Sequence, residues 1–520
     1  MLAVAAAGDD SAAVRSPAPL RYVIAIGYNG DVPAADDSHA HQVLQFADDD
    51  AARFFLEERP GAARAWLLTT FDNESARAFS AGGANESAVS VARPPTADEL
   101  SRTLGEAFWQ MRQDKDAGKS TELVLYFAGH GDVSEGGEGY VALAGSHLTR
   151  SMLETEVLIP SPATTNHLLI DACASAFMLP RGSAPAAGEA LSPALFLKRT
   201  AAAQEAWSRT GAIVATSDAG AVHESSDIGG GLFSFALRSA LVGAADVNGD
   251  GRVEYGEAAA FIAAQSALAT DPRAQLHVTA RAPAQTPHAP LADLSRAGAS
   301  HYLVIDQPRT ANLRVLDDRG APYAEVHREG AAPPAILALF HSAFFVVQNG
   351  DEEAVLVPRR GGAYALSSLS WKKSAQARVS DGGVDALTRT AAVAFGPQFV
   401  GGFLSSAGVD GLVPPVDGGA IAIAFADGGA PELRIPWWTL AGTAGTGAGV
   451  LAAGAVFCAI GNSLALADLD RRFQRTGTLD PNLALTTDTW LAASLGLGAG
   501  AVVTGLAAGG LAFVATTEDK

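Results

Sequence analysis

The chain has 520 residues, which is too long for one hydrophobic core and predicts two or three folded units. Its formal net charge of −20 argues against binding to nucleic acid, whose phosphates require a basic surface. The two cysteines, Cys173 and Cys458, lie in unrelated contexts, so we expect free thiols and no structural disulfide.

The predicted elements begin after a flexible leader over residues 1–20, which resembles the remnant of a signal peptide. From 21 to 280, short apolar runs alternate with helical patterns, which is typical of an α/β domain with a mostly parallel sheet flanked by helices. We predict strands over 21–27, 65–69, 121–127, 167–170 and 211–216. We predict helices over 46–58, 97–113, 198–208, 231–242 and 254–267.

Two of the predicted strands end abruptly in reactive side chains that lie between small residues. The run from Leu123 ends in His130, and the run from His167 ends in Cys173. Because the carboxyl ends of parallel strands meet at one edge of a sheet, we expect His130 and Cys173 to lie close together. An imidazole beside a thiol can accept its proton and later protonate a leaving amine, as nucleophilic catalysis requires. A buried core cysteine beside an unrelated histidine is the alternative.

These motifs, Ala-Gly-His-Gly at 128–131 and Asp-Ala-Cys at 171–173, resemble those of the caspase and metacaspase cysteine proteases. The likeness runs from about Arg21 to Gln265 and includes the acidic helix start at 47–51. It implies a caspase-like fold, a His130 and Cys173 dyad that works through a thioester, and an oxyanion hole. In the family that hole is formed by two backbone N–H groups, which correspond here to those of Gly131 and Cys173.

The residue two positions before the nucleophile lines the specificity pocket in this family. It is Gln in caspases, which cut after Asp, and Asp in metacaspases, which cut after Arg or Lys. Asp171 therefore implies cleavage after a basic residue, and a carboxylate pocket would bind a guanidinium by charge-assisted hydrogen bonds. Asp218 and Glu224, in the loop after the strand at 211–216, are further candidates for this pocket. A helix cap is the alternative role for Asp171.

An acidic stretch between two predicted helices matches the EF-hand calcium loop. Oxygen-bearing side chains occupy five of the ligand places, a backbone carbonyl the seventh, and Gly251 the sharp turn at the sixth. The candidate calcium ligands are Asp246, Asn248, Asp250, Arg252, Glu254 and Glu257. A solvated acidic turn is the alternative, and we expect no organic cofactor.

Two stretches rich in Pro, Gly and Ala predict exposed connections. Residues 179–193 form the first, and residues 281–300 are a predicted linker to a β-rich domain over 301–434. In caspases the region corresponding to 179–193 is cut during activation, although an ordinary surface loop is equally compatible with the composition. By resemblance, the candidate cleavage positions are Arg181, Lys198 and Arg199.

Residues 437–515 predict a transmembrane hairpin. No charged residue occurs from Trp437 to Ala467 or from Thr489 to Thr517, and each run exceeds the ~20 residues that cross a bilayer as a helix. Three arginines between the runs favour a cytoplasmic link, which would place the catalytic domain in the periplasm or outside the cell. Two Ala- and Gly-rich core helices are the alternative.

These patterns together predict a membrane-anchored cysteine endopeptidase that acts on peptide or protein substrates and carries a calcium site. A catalytically silent calcium-binding scaffold, which presents the β-rich domain to a partner, is one alternative. A Cys–His transpeptidase or ligase is another, because some relatives of caspases join peptides. Self-association is compatible with the sequence.

Overall fold

The computed structural model describes residues 18–413, with gaps at 31–42, 81–86, 135, 174, 180–192, 217–223, 269–275, 300, 307–312, 329–333, 341, 359–361, 375–392 and 407–411. Residues 1–17 of the predicted leader, the membrane hairpin, Cys458, Asp218 and Arg181 therefore lie outside the described residues. Among the helices of the described part, none is long and apolar enough to span a bilayer.

A six-stranded sheet forms the centre of the α/β region, and only one of its edge strands runs antiparallel to the rest. In spatial order the strands are β12 (His277–Arg281), β8 (Thr210–Thr216), β7 (Thr165–Asp171), β3 (Thr121–Gly129), β1 (Leu20–Tyr28) and β2 (Arg64–Thr69). Every residue of β3 and β7 is buried, because helices cover both faces of the sheet. The predicted mostly parallel sheet flanked by helices is confirmed.

Nine helices occur in the described residues, and they pack on both faces of this sheet. They are α1 (Ala47–Glu58), α2 (Asn73–Ser80), α3 (Ala88–Val91), α4 (Ala97–Asp116), α5 (Arg150–Met152), α6 (Pro193–Ser208), α7 (Leu232–Ser239), α8 (Tyr255–Ser266) and α9 (Pro397–Ser406). A π-helical turn follows α5 at Leu153–Leu158 and another follows α7 at Ala240–Ala244. Short 3₁₀ turns lie at Ser175–Met178 and Leu366–Ser368.

The two faces of the sheet have separate hydrophobic clusters. One face of the sheet carries α1, α7 and α8, with Phe54, Phe233 and Tyr126 among the buried side chains. The other face carries α4, which contacts β3, and α6, which contacts β8, with Phe108 and Phe127 buried. A three-stranded antiparallel sheet joins the α4 side directly after His130. Its strands are β4 (Gly131–Val133), β5 (Gly139–Leu143) and β6 (Ser146–Thr149).

The remaining strands are short pairs and two small sheets. The pairs are β9 (Glu224–Ser225) with β10 (Gly230–Gly231), and β11 (Arg252–Val253) with β13 (Ala292–Asp293). The small sheets contain β14 (His301–Ile305), β15 (Leu313–Leu316), β16 (Pro322–Val326), β17 (Ala335–Leu339), β18 (Phe345–Asn349), β19 (Glu352–Leu356), β20 (Ala363–Ala365) and β21 (Lys372–Lys373). Their spatial orders are β17-β14-β20 and β16-β15-β18-β19-β21.

The small sheets pack directly on the α/β region. The backbone of Gly243, which has a φ of 116°, lies so close to β17 that an added Cβ would collide with the carbonyl oxygen of Ile336. Residues 281–299 of the predicted linker lie along this junction, with Leu291 and Leu294 buried. The hydroxyl of Tyr302 donates to the carbonyl oxygen of Leu294 at 2.9 Å. The β-rich part therefore shares a continuous hydrophobic core with α7 and α8.

A buried polar network closes the amino end of the central sheet. The guanidinium of Arg21 donates to Glu122 at 2.7 Å and to Glu58 at 2.9 Å. Nε2 of His167 lies 3.5 Å from Glu122, and its Nδ1 lies 2.6 Å from the hydroxyl of Tyr255. Burial opposes ionisation of Glu122, but the charge of Arg21 and its hydrogen bond to Glu122 hold the pKa of that carboxyl well below the usual range. This network joins β1, β3, β7 and α8 at the edge opposite the candidate site.

Candidate active site

The parallel register brings the two reactive motifs to the same edge of the sheet. Ala128 of β3 pairs with Asp171 of β7, so that His130 and Cys173 each follow two residues later. An added Cβ on Gly131 would lie 2.6 Å from the carbonyl oxygen of Cys173, which shows how closely the two chain segments approach. His130 and Cys173 are each 7% exposed. The strand ends thus hold the imidazole-bearing and thiol-bearing residues next to each other at the surface of the core.

The surroundings of Cys173 favour the protonated thiol over the thiolate. Burial raises its pKa to about 12, and the negative charges of Asp171 and Asp132 add to this effect. The next described residue, Ser175, anchors the turn by donating its hydroxyl proton to the carbonyl oxygen of Ala215 in β8. On the histidine side, the backbone oxygen of His130 accepts a hydrogen bond from the amide of Ala142 at 2.9 Å. These hydrogen bonds hold both segments in place without involving the side chains of His130 and Cys173.

Asp171 is buried on the face of the sheet that carries α1 and α7. Its Oδ2 accepts hydrogen bonds from the amide of Ser234, at 3.1 Å, and from the hydroxyl of the same residue. That hydroxyl also bonds to the buried phenol of Tyr126. Burial raises the pKa of Asp171 to about 6, and the nearby carboxylate of Glu224 adds to this effect while the bonds from Ser234 lower it. The carboxylate is thus held in a fixed position.

Asp50 lies close to Asp171, in the region where the sequence predicts the substrate pocket, and was not itself predicted as a site residue. Its Oδ2 accepts the amide of Gly231 at 2.7 Å, whereas its Oδ1 is buried without a hydrogen-bond partner. An added Cβ on Gly231 would lie 2.8 Å from Asp171 and 3.2 Å from Asp50. This glycine therefore lies between the two carboxylates. Burial raises the pKa of Asp50 well above its usual value, against the opposing charge of Arg53. The sequence feature that could have indicated Asp50 is the acidic start of α1 at 48–50.

Glu224 lies at the rim of this pocket. Its carboxylate accepts the amides of Gln45 at 2.9 Å and Phe46 at 2.8 Å, and it is close enough to Asp171 to raise the pKa of that carboxyl. Burial likewise raises the pKa of Glu224. The structure therefore brings two of the predicted pocket residues together, while Asp218 lies outside the described residues.

The arginines nearest to this pocket have partners of their own. Arg53 donates to the carbonyl oxygen of Gly229 and lies 3.8 Å from Asp49. Arg238 forms a buried bidentate pair with Glu57. Within the described part of the chain, no salt bridge reaches Asp171 or Asp50, although both are less than a tenth exposed. Oδ1 of Asp50 is therefore a buried acceptor without a hydrogen-bond partner, although the charges of Arg53 and Arg238 oppose the rise in the pKa of this carboxyl.

The candidate calcium loop joins α7 to α8 and has a tightly bonded backbone. Asp246 is fully buried and accepts the amides of Gly249 at 2.8 Å and Gly251 at 2.9 Å. Glu257 is also fully buried and accepts the amides of Val247 at 3.1 Å and Glu254 at 2.9 Å. Burial raises the pKa of Asp246 to about 6 and that of Glu257 well above its usual value, and their mutual repulsion raises the latter further.

The other candidate ligands also bond within the loop or to its neighbours, and among them Glu254 is buried. Asn248 accepts the amide of Asp250, Asp250 accepts the amide of Arg252, and Glu254 lies 3.2 Å from Nδ1 of His288. In the described residues, no three His, Cys, Asp or Glu side chains converge closely enough to hold a metal ion. Calcium coordination would therefore require the carboxylates to turn from these backbone amides toward the centre of the loop.

No model of a known protein family matches this chain. No curated protein matches it in sequence. The function is therefore inferred from the residues of the site.

Proposed function

We propose that this chain is a cysteine endopeptidase of the caspase and metacaspase type, which hydrolyses peptide bonds after Arg or Lys. The observation that carries the proposal is one edge of a parallel sheet where His130, Cys173 and the buried carboxylates of Asp171 and Asp50 meet. This edge is also where open α/β sheets bind their ligands.

The chemistry would proceed through a thioester. The Sγ proton of Cys173 passes to the imidazole of His130 as sulfur attacks the carbonyl carbon, and the imidazolium then protonates the leaving amine. Water, activated by the same imidazole, hydrolyses the thioester. The backbone amides of Gly131 and Cys173 come from the two chain segments in close contact, and each such oxyanion donor typically contributes about 3 kcal/mol to transition-state stabilisation.

The charge of the pocket supports specificity for basic residues. A guanidinium would supply donors for the free Oδ1 of Asp50 and the remaining lone pairs of Asp171. An acidic side chain would be repelled by both carboxylates, which disfavours the caspase preference for Asp. Glu224, at the rim, adds its negative charge to that of these two carboxylates.

Fluorogenic peptides that end in Arg, Lys or Asp test this function on the full-length protein, with Cys173→Ala as the control. Release after Arg and Lys that disappears in the variant is the expected result. Product mass separates hydrolysis from joining of peptides. Release only after Asp would overturn the pocket assignment. If wild-type protein cuts none of the peptides while a partner still binds it, the silent scaffold becomes the better explanation.

We also propose that the loop at 246–257 binds calcium. Asp246 and Glu257 are buried and repel each other, a pair that a divalent cation would stabilise. The pairing of β11 with β13 supplies the strand contact that a second EF-hand would otherwise provide. Calcium should raise the melting temperature of the wild type but not of Glu257→Gln, whereas magnesium at equal ionic strength should have little effect. An equal rise in both proteins would rule out this loop.

The C-terminal segment at 437–515 is proposed to anchor the protein in a membrane, with the catalytic part on the extracytoplasmic side. The support is its two long uncharged runs and the arginines between them. Membrane fractionation of the full chain against a truncation after residue 434 tests the anchor, and protease accessibility in intact cells tests the orientation. Full-length protein in the soluble fraction would contradict the anchor.

A further inference from the structure

A chain of two buried hydroxyl groups ends at Asp171 and has no part in the chemistry described so far. The phenol oxygen of Tyr126 lies 2.5 Å from Oγ of Ser234, and that hydroxyl bonds in turn to Oδ2 of Asp171. Tyr126 and Ser234 are fully buried, and Asp171 is 6% exposed. The carboxylate is therefore bonded to a chain of side chains that lies outside both reactive motifs.

The direction of the chain follows from its end at Asp171. An ionised carboxylate can only accept hydrogen bonds, so the hydroxyl of Ser234 must donate its single proton to Oδ2. Tyr126 must then donate to Ser234. Burial, followed by the charges of Asp50 and Asp171, holds the pKa of Tyr126 well above its usual value, so the phenol keeps the proton that it donates. Ionised Asp171 thus fixes the orientation of both hydroxyls.

Each member of the chain belongs to a different element. Tyr126 lies on β3, where its ring stacks on Phe54 of α1 with 4.2 Å between the ring centroids. Ser234 is the third residue of α7, and its backbone amide donates to the same Oδ2 at 3.1 Å. Asp171 is the last residue of β7. Two donors from α7 therefore converge on one carboxylate oxygen, and the packed ring of Tyr126 orients one of them.

The groups that interact electrostatically with Asp171 are mostly acidic. They are Asp50 on α1, Glu224 on β9, Tyr126 on β3 and Cys173 after β7. The charges of Arg53 on α1 and Arg238 on α7 act on Asp50, and each of these arginines has another partner. Against burial and the charge of Glu224, the bonds from Ser234 lower the pKa of Asp171.

We propose that Ser234 and Tyr126 are positioning residues for Asp171. Their hydroxyls hold its carboxylate charged and in one orientation, and in this way they set the preference for a basic side chain before the scissile bond. The inference rests on the proposed function and adds two residues to it. Both residues act through Asp171 and not on the substrate itself.

Thermal stability at two pH values measures this effect without any proteolysis. Ser234→Ala removes the hydroxyl but keeps the backbone amide, so ionised Asp171 loses one of its two donors. In the wild type, the stability from the proton of Asp171 is present below pH 3.8 and lost as the pH rises through about 6. In the variant the pKa of Asp171 should rise further, and this loss should continue to higher pH. The melting temperature of full-length Ser234→Ala should therefore fall below that of the wild type by more at pH 8 than at pH 5.

Ser239→Ala is the matched control. Ser239 is also a buried serine of α7, and its hydroxyl accepts the backbone amide of Glu325 at 3.3 Å. The loss of this bond should lower the melting temperature equally at both pH values, because neither partner is charged. Tyr126→Phe removes only the outer donor and should show a smaller pH-dependent loss, and it keeps the test decisive if Ser234→Ala does not fold. A loss that is the same at both pH values in Ser234→Ala, or in Tyr126→Phe where it alone folds, would overturn the proposal.

The pH profile of cleavage tests the link to specificity. In Ser234→Ala, kcat/KM for an Arg peptide should fall about fivefold at pH 6 and change little at about pH 8.5, since the loss of a hydrogen bond to a charged group moves the acid limb by about one pH unit. Ser234→Thr keeps the hydroxyl and should restore the wild-type profile. If the wild type cuts Arg peptides but the acid limb does not move in Ser234→Ala, the proposed function stands and this inference fails. If the loss of stability depends on pH but the wild type cuts no peptide, Ser234 and Tyr126 still hold Asp171 and the proposed hydrolysis fails.

Discussion

Replacing Gly131 by Ala tests whether the close approach of the two strand ends positions the nucleophile. The added Cβ would lie 2.6 Å from the carbonyl oxygen of Cys173 and 3.0 Å from the Cβ of Ala172, whereas ordinary contacts begin at 3.4 Å. The backbone of the nucleophile must therefore move by roughly 0.8 Å. The alanine keeps its backbone amide, so the variant retains the proposed oxyanion donor and changes only the spacing.

The displacement predicts a large loss of activity with a moderate loss of stability. A misplacement of about 1 Å can lower the rate about a hundredfold, and overpacking of a tight site costs about 1–3 kcal/mol. We expect kcat for an Arg peptide to fall by about that factor, with KM less affected because Asp171 and Asp50 are unchanged. Steady-state kinetics and urea denaturation on the same preparation measure both quantities.

Gly105→Ala is the matched control. Gly105 lies within α4, and an added Cβ there would meet no atom within 4 Å. Alanine should stabilise this helix by about 0.5–1 kcal/mol and leave kcat unchanged. If Gly131→Ala retained activity within about twofold of the control, the contact between Gly131 and Cys173 would not be part of the catalytic arrangement.

Two further predictions concern ionisable groups. Because burial, followed by the charge of Glu224, raises the pKa of Asp171 to about 6, cleavage after Arg should rise as this carboxyl ionises between about pH 5 and 7. The same raised pKa means that the folded state holds this proton more tightly than the unfolded chain, so the associated stability is present below pH 3.8 and lost as the pH rises through about 6. A flat profile of kcat/KM over this interval would contradict the role of Asp171. Tyr255→Phe should lower the free energy of unfolding by about 1–3 kcal/mol in urea denaturation, because it leaves the buried Nδ1 of His167 without its 2.6 Å partner. Peptide cleavage should be unaffected, and wild-type stability would show that this bond contributes nothing.

The sequence predicted the centre of the fold well, because its strands are long apolar runs buried on both faces. All five predicted strands of the central sheet are present, and β3 and β7 end where the reactive motifs begin. The antiparallel edge strand β12 was not predicted. It has five residues beside a Pro-rich stretch, and its pairing with β8 is a long-range contact that local periodicity does not encode.

The elements that shape the candidate site were the hardest to predict. The three-stranded sheet after His130 consists of strands of three to five residues separated by glycines, too short for a clear alternation. It nevertheless places Asp132 near enough to Cys173 for its charge to raise the pKa of that thiol. The residues 281–300 have the composition of an exposed linker, yet Leu291 and Leu294 are buried at the junction with the β-rich part. Composition alone does not show which loops pack.

Asp50 shows most clearly why a candidate site contains residues that lie outside its sequence motifs. Three acids at the start of α1 would ordinarily be solvated and stabilise the helix dipole, and nothing in their order distinguishes one from the next. In the fold all three are less than a tenth exposed, and Asp50 is turned toward Asp171 with one oxygen unpartnered. Burying a carboxylate oxygen without a hydrogen-bond partner destabilises a protein, so a chain selected for stability alone would place a neutral residue at position 50. The same burial strengthens the attraction between these carboxylates and any cation that enters, because low exposure weakens the screening by water. Replacing Asp50 by Asn should therefore stabilise the fold while weakening cleavage after Arg. A variant that lost both stability and cleavage would show that Asp50 serves only the structure.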